Sequence, residues 1–182
     1  DALIADASQR RISGRMDMPV LGTLVFVVRD DCVLLQRRVK PPFVGRWVAP
    51  GGKVDEHEAP YECAVRELRE ETGLVAGSVS LRAVFRETAP RADFDWLVFA
   101  YLAHDVSGAV TSDEREGPLR WWAVSEIDDI AMPKTDRTIL PHVIGSDPRL
   151  LELKFSYDAD LHLTGRTESF SRLRPGASGS PS

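Results

Sequence analysis

Apolar positions along the chain fall mostly into short β-branched or alternating runs, broken twice by the longer period of a helix. "VLGTLVFVV" (20–28) is strongly apolar and reads as a core strand, and "CVLLQRR" (32–38), after the turn residues Asp30 and Asp31, reads as its hairpin partner. "VKPPFVG" (39–45) is a loop stiffened by two prolines, and "RWVAPGGK" (46–53) is a short strand running into a Gly-Gly turn. From about Pro60 to Thr72 the period becomes helical, with Ala64, Val65, Leu68 and Thr72 as the apolar stripe. Pro60 suits a first turn, Glu58 and Glu62 suit its positive end, and Gly73 stops the helix. "VSLRAVFRET" (79–88), "FDWLVFAYLAH" (94–104) and "LRWWAV" (119–124) return to strand patterning. "SEIDDI" (125–130) opens with a capping-box-like serine and Asp128, and "PKTDRTILPHVIG" (133–145) predicts a second amphipathic helix. "LLELKFSYDADLHL" (150–163) predicts a final strand pair. Strands in both halves, with one helix after the glycines and one near the end, imply an α/β or α+β sandwich.

No internal repeat is visible. Residues 1–18 read as a polar arm, 19–163 as one domain and 164–182 as a disordered tail, which from Gly165 onward is mainly Ser, Gly, Arg and Pro. Composition supports a single packed core: 182 residues, 43% hydrophobic and 28% charged. A net charge of −5 argues against nucleic acid as a partner, while leaving room for a small anionic ligand at one locally cationic site. Cys32 and Cys63 read as buried thiols, and four scattered histidines argue against zinc. With no 18-residue apolar span and no signal pattern, no membrane partner is expected and a cytoplasmic location is.

Charge changes the picture within the first helix. "AVRELREETG" (64–73) carries Glu67, Glu70 and Glu71 at i, i+3 and i+4, all on one face. Two like charges about 4 Å apart cost roughly 1 kcal/mol in water and about 4 kcal/mol at an effective dielectric near 20. A solvated face softened by Arg66 and Arg69 is one explanation. The wider window offers another: Gly52, Glu58, Arg66-Glu67-Leu68, Glu70-Glu71 and Gly73-Leu74 recur at fixed spacing over 23 positions. This pattern matches the signature of the Nudix hydrolases, which cleave nucleoside diphosphates linked to another group, and the chain resembles that family over roughly residues 18–163. The resemblance implies an α/β/α sandwich with a mixed sheet and a catalytic loop-helix-loop.

It also implies a divalent cation, Mg²⁺ with Mn²⁺ as the alternative, because hard cations take carboxylate and phosphate oxygens. Carried across, Glu70 and Glu71 would be the main metal ligands, with Glu67 a further ligand or the base. Arg66 would orient a glutamate, with Glu58 as its partner. The Gly51 carbonyl would be a ligand, and Gly51 and Gly52 would let the backbone turn closely. A further carboxylate is expected from "SDEREG" (112–117), Glu116 being preferred over Asp113 and Glu114. Without metal, Glu67, Glu70 and Glu71 are expected to have raised pKa values through mutual repulsion.

"EGPLRWWAVSEIDDIAMPKTDRTILP" (116–141) resembles the branch of that family that hydrolyses oxidised purine nucleotides such as 8-oxo-dGTP. On that resemblance Asp136 would meet the purine edge and Met132 would lie against the ring. Arg37, Arg38 and Lys40, beside the glycine loop, are candidates for phosphate contact or simply exposed basic residues, and Gly52 and Lys53 are further substrate-binding candidates. Two departures stand out: Val48 where a member of the branch has asparagine, and Met132 where it has an aromatic stacker. The implied activity is conversion of a nucleoside triphosphate to monophosphate and pyrophosphate. The alternatives are hydrolysis of another nucleoside diphosphate derivative, such as a dinucleoside polyphosphate stacked on Tyr101 or a nucleotide sugar, and a non-catalytic nucleotide sensor. Monomer and homodimer both remain open.

Overall fold

The structure is a computed structural model and describes residues 18–111 and 116–171. A five-stranded mixed sheet forms its centre, in the order β1 (Val20–Phe26), β6 (Asp95–His104), β5 (Ser78–Thr88), β8 (Leu150–Tyr157), β9 (Leu163–Ser171). β1 runs parallel to β6 and β5 parallel to β8, whereas β5–β6 and β8–β9 are antiparallel. A smaller sheet is built on β3 (Cys32–Arg37), which pairs antiparallel with β2 (Val28–Arg29), β4 (Trp47–Val48) and β7 (Leu119–Ala123).

Helix α1 (Pro60–Thr72) and helix α2 (Lys134–Ile144) cover two separate apolar clusters, and the strands supply both in alternation. Along β1, Val25 joins Ala64 and Leu68 of α1, and Phe26 joins Ile139, Leu140 and Val143 of α2. Leu34 and its neighbours Val33 and Leu35 divide in the same way on β3. That two-sided burial makes "VLGTLVFVV" apolar at nearly every position, the pattern of a strand covered on both faces. The expected hairpin accordingly forms only at its tip, where β2 meets Cys32 and Val33, while β1 pairs with distant β6 from Val20–Trp96 to Phe26–Leu102.

The ends of α1 follow its sequence signals. Pro60 occupies the first turn, Glu62 accepts the Ala59 N–H at 2.8 Å, and Gly73 at φ +75° donates its N–H to the Arg69 carbonyl. The segment after β7 is a single 3₁₀ stretch, Val124–Asp129, and its reciprocal bond runs from Ala123 N–H to Glu126 rather than between Ser125 and Asp128. The C-terminal reading needs correcting: Leu163–Ser171 is strand, so the expected disordered tail does not hold for residues 164–171. Asp158 organises the turn before it by accepting the N–H groups of Asp160 and His162. The arm at 1–17, the remainder of the tail at 172–182, and Asp113 and Glu114 lie outside the described residues. Among the described residues no helix is long and apolar enough to cross a membrane.

Candidate active site

The glycine loop is welded to β1 by backbone bonds. Thr23 donates to the Gly52 carbonyl and Val25 to the Pro50 carbonyl, each at 2.8 Å. Between them Gly51 has φ +154°, and a Cβ there would run into the Thr23 carbonyl oxygen, so the approach requires glycine. The Gly51 carbonyl has no hydrogen-bond partner among the described residues, which leaves it spare. Its N–H points the other way and donates to Glu71 at 2.8 Å.

Arg66 is the hub of the acidic helix. It grips both oxygens of Glu58 at 2.8 and 2.9 Å and reaches Glu67 at 2.8 Å and Glu70 at 3.2 Å. This fork holds the Glu58 carboxyl down to about 2. Glu67 and Glu71 are displaced the other way. Burial is the main reason, pushing Glu71 up to about 7 and raising Glu67 against the pull of Arg66. Repulsion from Glu67 and Glu116 adds to Glu71, so the expected cause is present but secondary.

Beside this helix opens a cavity of about 480 Å³, a volume suited to a small organic ligand. Glu67, Glu71 and Glu116 line it together with Gly51, Gly52 and Lys53. Glu116 is paired with Lys40 at 2.7 Å. Glu70, on the same helix face, is largely exposed and does not line the cavity. Glu71 is 8% exposed, and its single hydrogen bond among the described residues comes from the Gly51 amide. A buried carboxylate so poorly compensated, with further carboxylates and a spare carbonyl alongside, is a donor set for a hard divalent cation.

The other predicted residues divide. Arg38 lines the cavity, but its guanidinium donates to the carbonyls of Lys40, Pro41 and Pro42 and so shapes the loop above it. Lys53 lines the same wall with its ammonium 5.5 Å from the Trp96 ring centre. Asp136, in the first turn of α2, is 6% exposed and faces the far end of the cavity. Val48 lines that end too. Met132 does not: it is 2% exposed inside the α2-side core, so the stacking role expected for it is not available. Tyr101 likewise belongs to the core beneath α1.

Sequence reasoning passed over Gln36, Glu87 and Trp96, all of which line the cavity. Glu87 had a readable signal. It follows Ala83 and Phe85 at the buried positions of β5, an inward-facing carboxylate on an alternating strand.

The NUDIX domain family matches residues 18–143. An uncharacterised Nudix hydrolase of Bacillus subtilis, YvcI, is 34% identical over 137 residues, spanning 74% of this chain and 84% of that protein. A putative 8-oxo-dGTP diphosphatase of Mycobacterium tuberculosis is 36% identical over 118 residues, covering 61% of this chain and 54% of that protein. Other matching relatives bear names with different substrates, an RNA pyrophosphohydrolase and an ADP-ribose pyrophosphatase among them. Among solved structures, the crystal structure of a MutT protein from Bacillus halodurans superposes with a TM-score of 0.73 at 32% identity, covering 82% of this chain and 97% of that one. The family's members generally depend on a divalent metal. With glycine loop, acidic helix and sandwich joined in one chain, and matches of this extent, the chain belongs to the Nudix hydrolases, enzymes that act on nucleoside diphosphate derivatives.

Proposed function

We propose that the protein is a pyrophosphohydrolase that converts a purine nucleoside triphosphate, 8-oxo-dGTP in particular, to its monophosphate and pyrophosphate. The observation that carries this reading is the single cavity with carboxylates and a glycine loop at one end and the buried Asp136 at the other. A ligand spanning it would place a polyphosphate beside Glu67, Glu71 and Glu116 and a base beside Asp136.

Glu70, Glu71, Glu67, Glu116 and the Gly51 carbonyl would hold the divalent cation, Mg²⁺ by choice. A divalent ion held there would supply charge neutralisation for the polyphosphate and a lowered pKa for the attacking water. The chain's own groups do the rest. Arg66, braced by Glu58, fixes the Glu67 carboxylate, so that Glu67 can accept a proton from attacking water at a defined position. Lys40 and Lys53 supply positive charge at the phosphate end, and Gly51 and Gly52 let the backbone come close. Asp136, buried and raised to about 7, can offer a proton or a lone pair to a base edge near neutrality.

A panel of normal and oxidised nucleotides, assayed for pyrophosphate release with Mg²⁺, tests the reading. The expected result is release of pyrophosphate with 8-oxo-dGTP preferred in kcat/KM. Equal values for dGTP and its 8-oxo form would defeat the oxidised-purine assignment, and no release from any triphosphate would defeat the reaction itself.

A further inference from the structure

Three buried side-chain polar atoms among the described residues lack a hydrogen-bond partner: Gln36 Nε2, Trp122 Nε1 and Asp136 Oδ2. Two of these three, on Gln36 and Asp136, belong to residues that line the cavity at the end away from the acidic helix. They come from different elements, β3 and α2, and are 5% and 6% exposed. Between them in chain order stands Glu87 of β5, 8% exposed and lining the same cavity. A well-packed interior seldom leaves such groups unmatched, because each carries the full penalty of lost hydration. A ligand that supplies the missing partners removes that penalty.

The chemistry of the set specifies the ligand. Gln36 Nε2 can only donate. Glu87 and Asp136 repel when both are ionised, so near neutrality the pair tends to hold one proton in common. Where that proton resides follows from the neighbours. Tyr157 donates its hydroxyl to Glu87 Oε1 at 2.9 Å, which favours the anion there. Asp136 Oδ2 receives no donor, and the Thr135 hydroxyl reaches Oδ1 only at 3.3 Å. Burial pushes both acids up, Asp136 to about 7. The floor therefore offers one carboxylate as acceptor, with a carboxyl O–H and an amide N–H as donors.

We infer that Glu87 is a specificity-determining residue, its carboxylate accepting the adjacent ring N–H and 2-amino N–H of a guanine-type base while Asp136 and Gln36 donate to that base's carbonyl oxygen. This assignment rests on the cavity being a nucleotide site. It adds a residue to the reading of Asp136 and makes the 2-amino group the feature that is read. Phe94 and Trp96 line the same cavity, Trp96 opposite Glu87 in the β5–β6 ladder, and provide apolar walls that keep water away from these bonds.

Calorimetric binding of dGMP and dIMP, which differ only in the 2-amino group, tests the inference on the full chain without any need for turnover. The unsubstituted protein is expected to bind dGMP about tenfold more tightly, the worth of one hydrogen bond to a charged group. In Glu87→Gln the two affinities should fall within about twofold of each other, mainly through weaker dGMP binding. Tyr157→Phe keeps the carboxyl and removes the donor that holds it ionised, and should narrow the gap in the same direction, so it decides the matter if Glu87→Gln does not fold. A preference for dGMP that both variants retain at unchanged melting temperature would overturn the inference, as would equal binding, or no binding, of the two ligands by the unsubstituted protein. Failure of the proposed reaction is seen separately, as absence of pyrophosphate release from triphosphates.

Discussion

A carboxylate that is 8% exposed, with one backbone amide for company, is poorly matched to its surroundings as an anion, and Glu71 is held in that condition. The same environment suits it to a divalent cation, whose charge would offset both the burial and the repulsion from Glu67 and Glu116. Glu71→Gln separates the two effects because the amide oxygen can still accept the Gly51 N–H. Turnover with Mg²⁺ should fall by orders of magnitude, while the metal-free variant at pH 8 should melt higher than the unsubstituted protein. Steady-state kinetics and a melting curve in chelator check the pair, and undiminished turnover would remove Glu71 from the site. Residue roles were unevenly legible. Glu58 and Arg66 could be paired through the family resemblance, and the ion pair between them is formed. The alternation of β5 could mark Glu87 as inward-facing but not say what it faces, and Gln36, a polar residue within an apolar strand, acquires meaning only when the register shows its surroundings. Met132 was placed against the ring by the resemblance alone, and its side chain is drawn into the α2-side core instead.

At the scale of elements, the success of helix α1 and the failure at β9 have one physical origin. α1 announces itself locally, through Pro60, an apolar stripe and Gly73, and its end signals depend on nothing distant. β9 is exposed at nearly every position and pairs on one side only, so its sequence has no alternation to betray it. What holds it is the ladder with β8 and the Asp158 turn, together with Phe170 against His142 and Arg149. The β1–β6 pairing was hidden for a similar reason, since parallel partners lie far apart in the chain. Because α1 carries Glu67, Glu70 and Glu71, its seating sets their positions. Leu68, fully buried between α1 and the strands, takes part in that seating together with Ala64. Leu68→Ala should cost about 2–5 kcal/mol, and denaturant unfolding gives the figure directly. A loss under about 0.5 kcal/mol would mean that the helix is held by its polar contacts instead.

Taken as a whole, the molecule concentrates acids it cannot easily ionise around one cavity: Glu67 and Glu71 at one end, Glu87 and Asp136 at the other. Their pKa values are raised, chiefly by burial, with Glu71 and Asp136 each reaching about 7. Such groups retain protons in the folded state that the unfolded chain has already released above pH 4.5. Between roughly pH 4.5 and 7 the folded form thus binds more protons, and linkage makes stability fall as pH rises through that window. For Glu71 alone, a rise from 4.5 to about 7 corresponds to about 3 kcal/mol. Chelated protein should accordingly melt at a lower temperature at pH 8 than at pH 5.5. Excess Mg²⁺ should flatten the dependence by recovering the share that belongs to the acidic helix, leaving the share of Glu87 and Asp136. Added dGMP should draw on that remainder, because it reaches the opposite end. Melting curves in chelator, in Mg²⁺, and in Mg²⁺ with dGMP resolve the two shares. A chelated melting temperature that climbs from pH 5.5 to 8 would show that these acids are ionised without penalty, and the cavity would then have no electrostatic demand for either ligand.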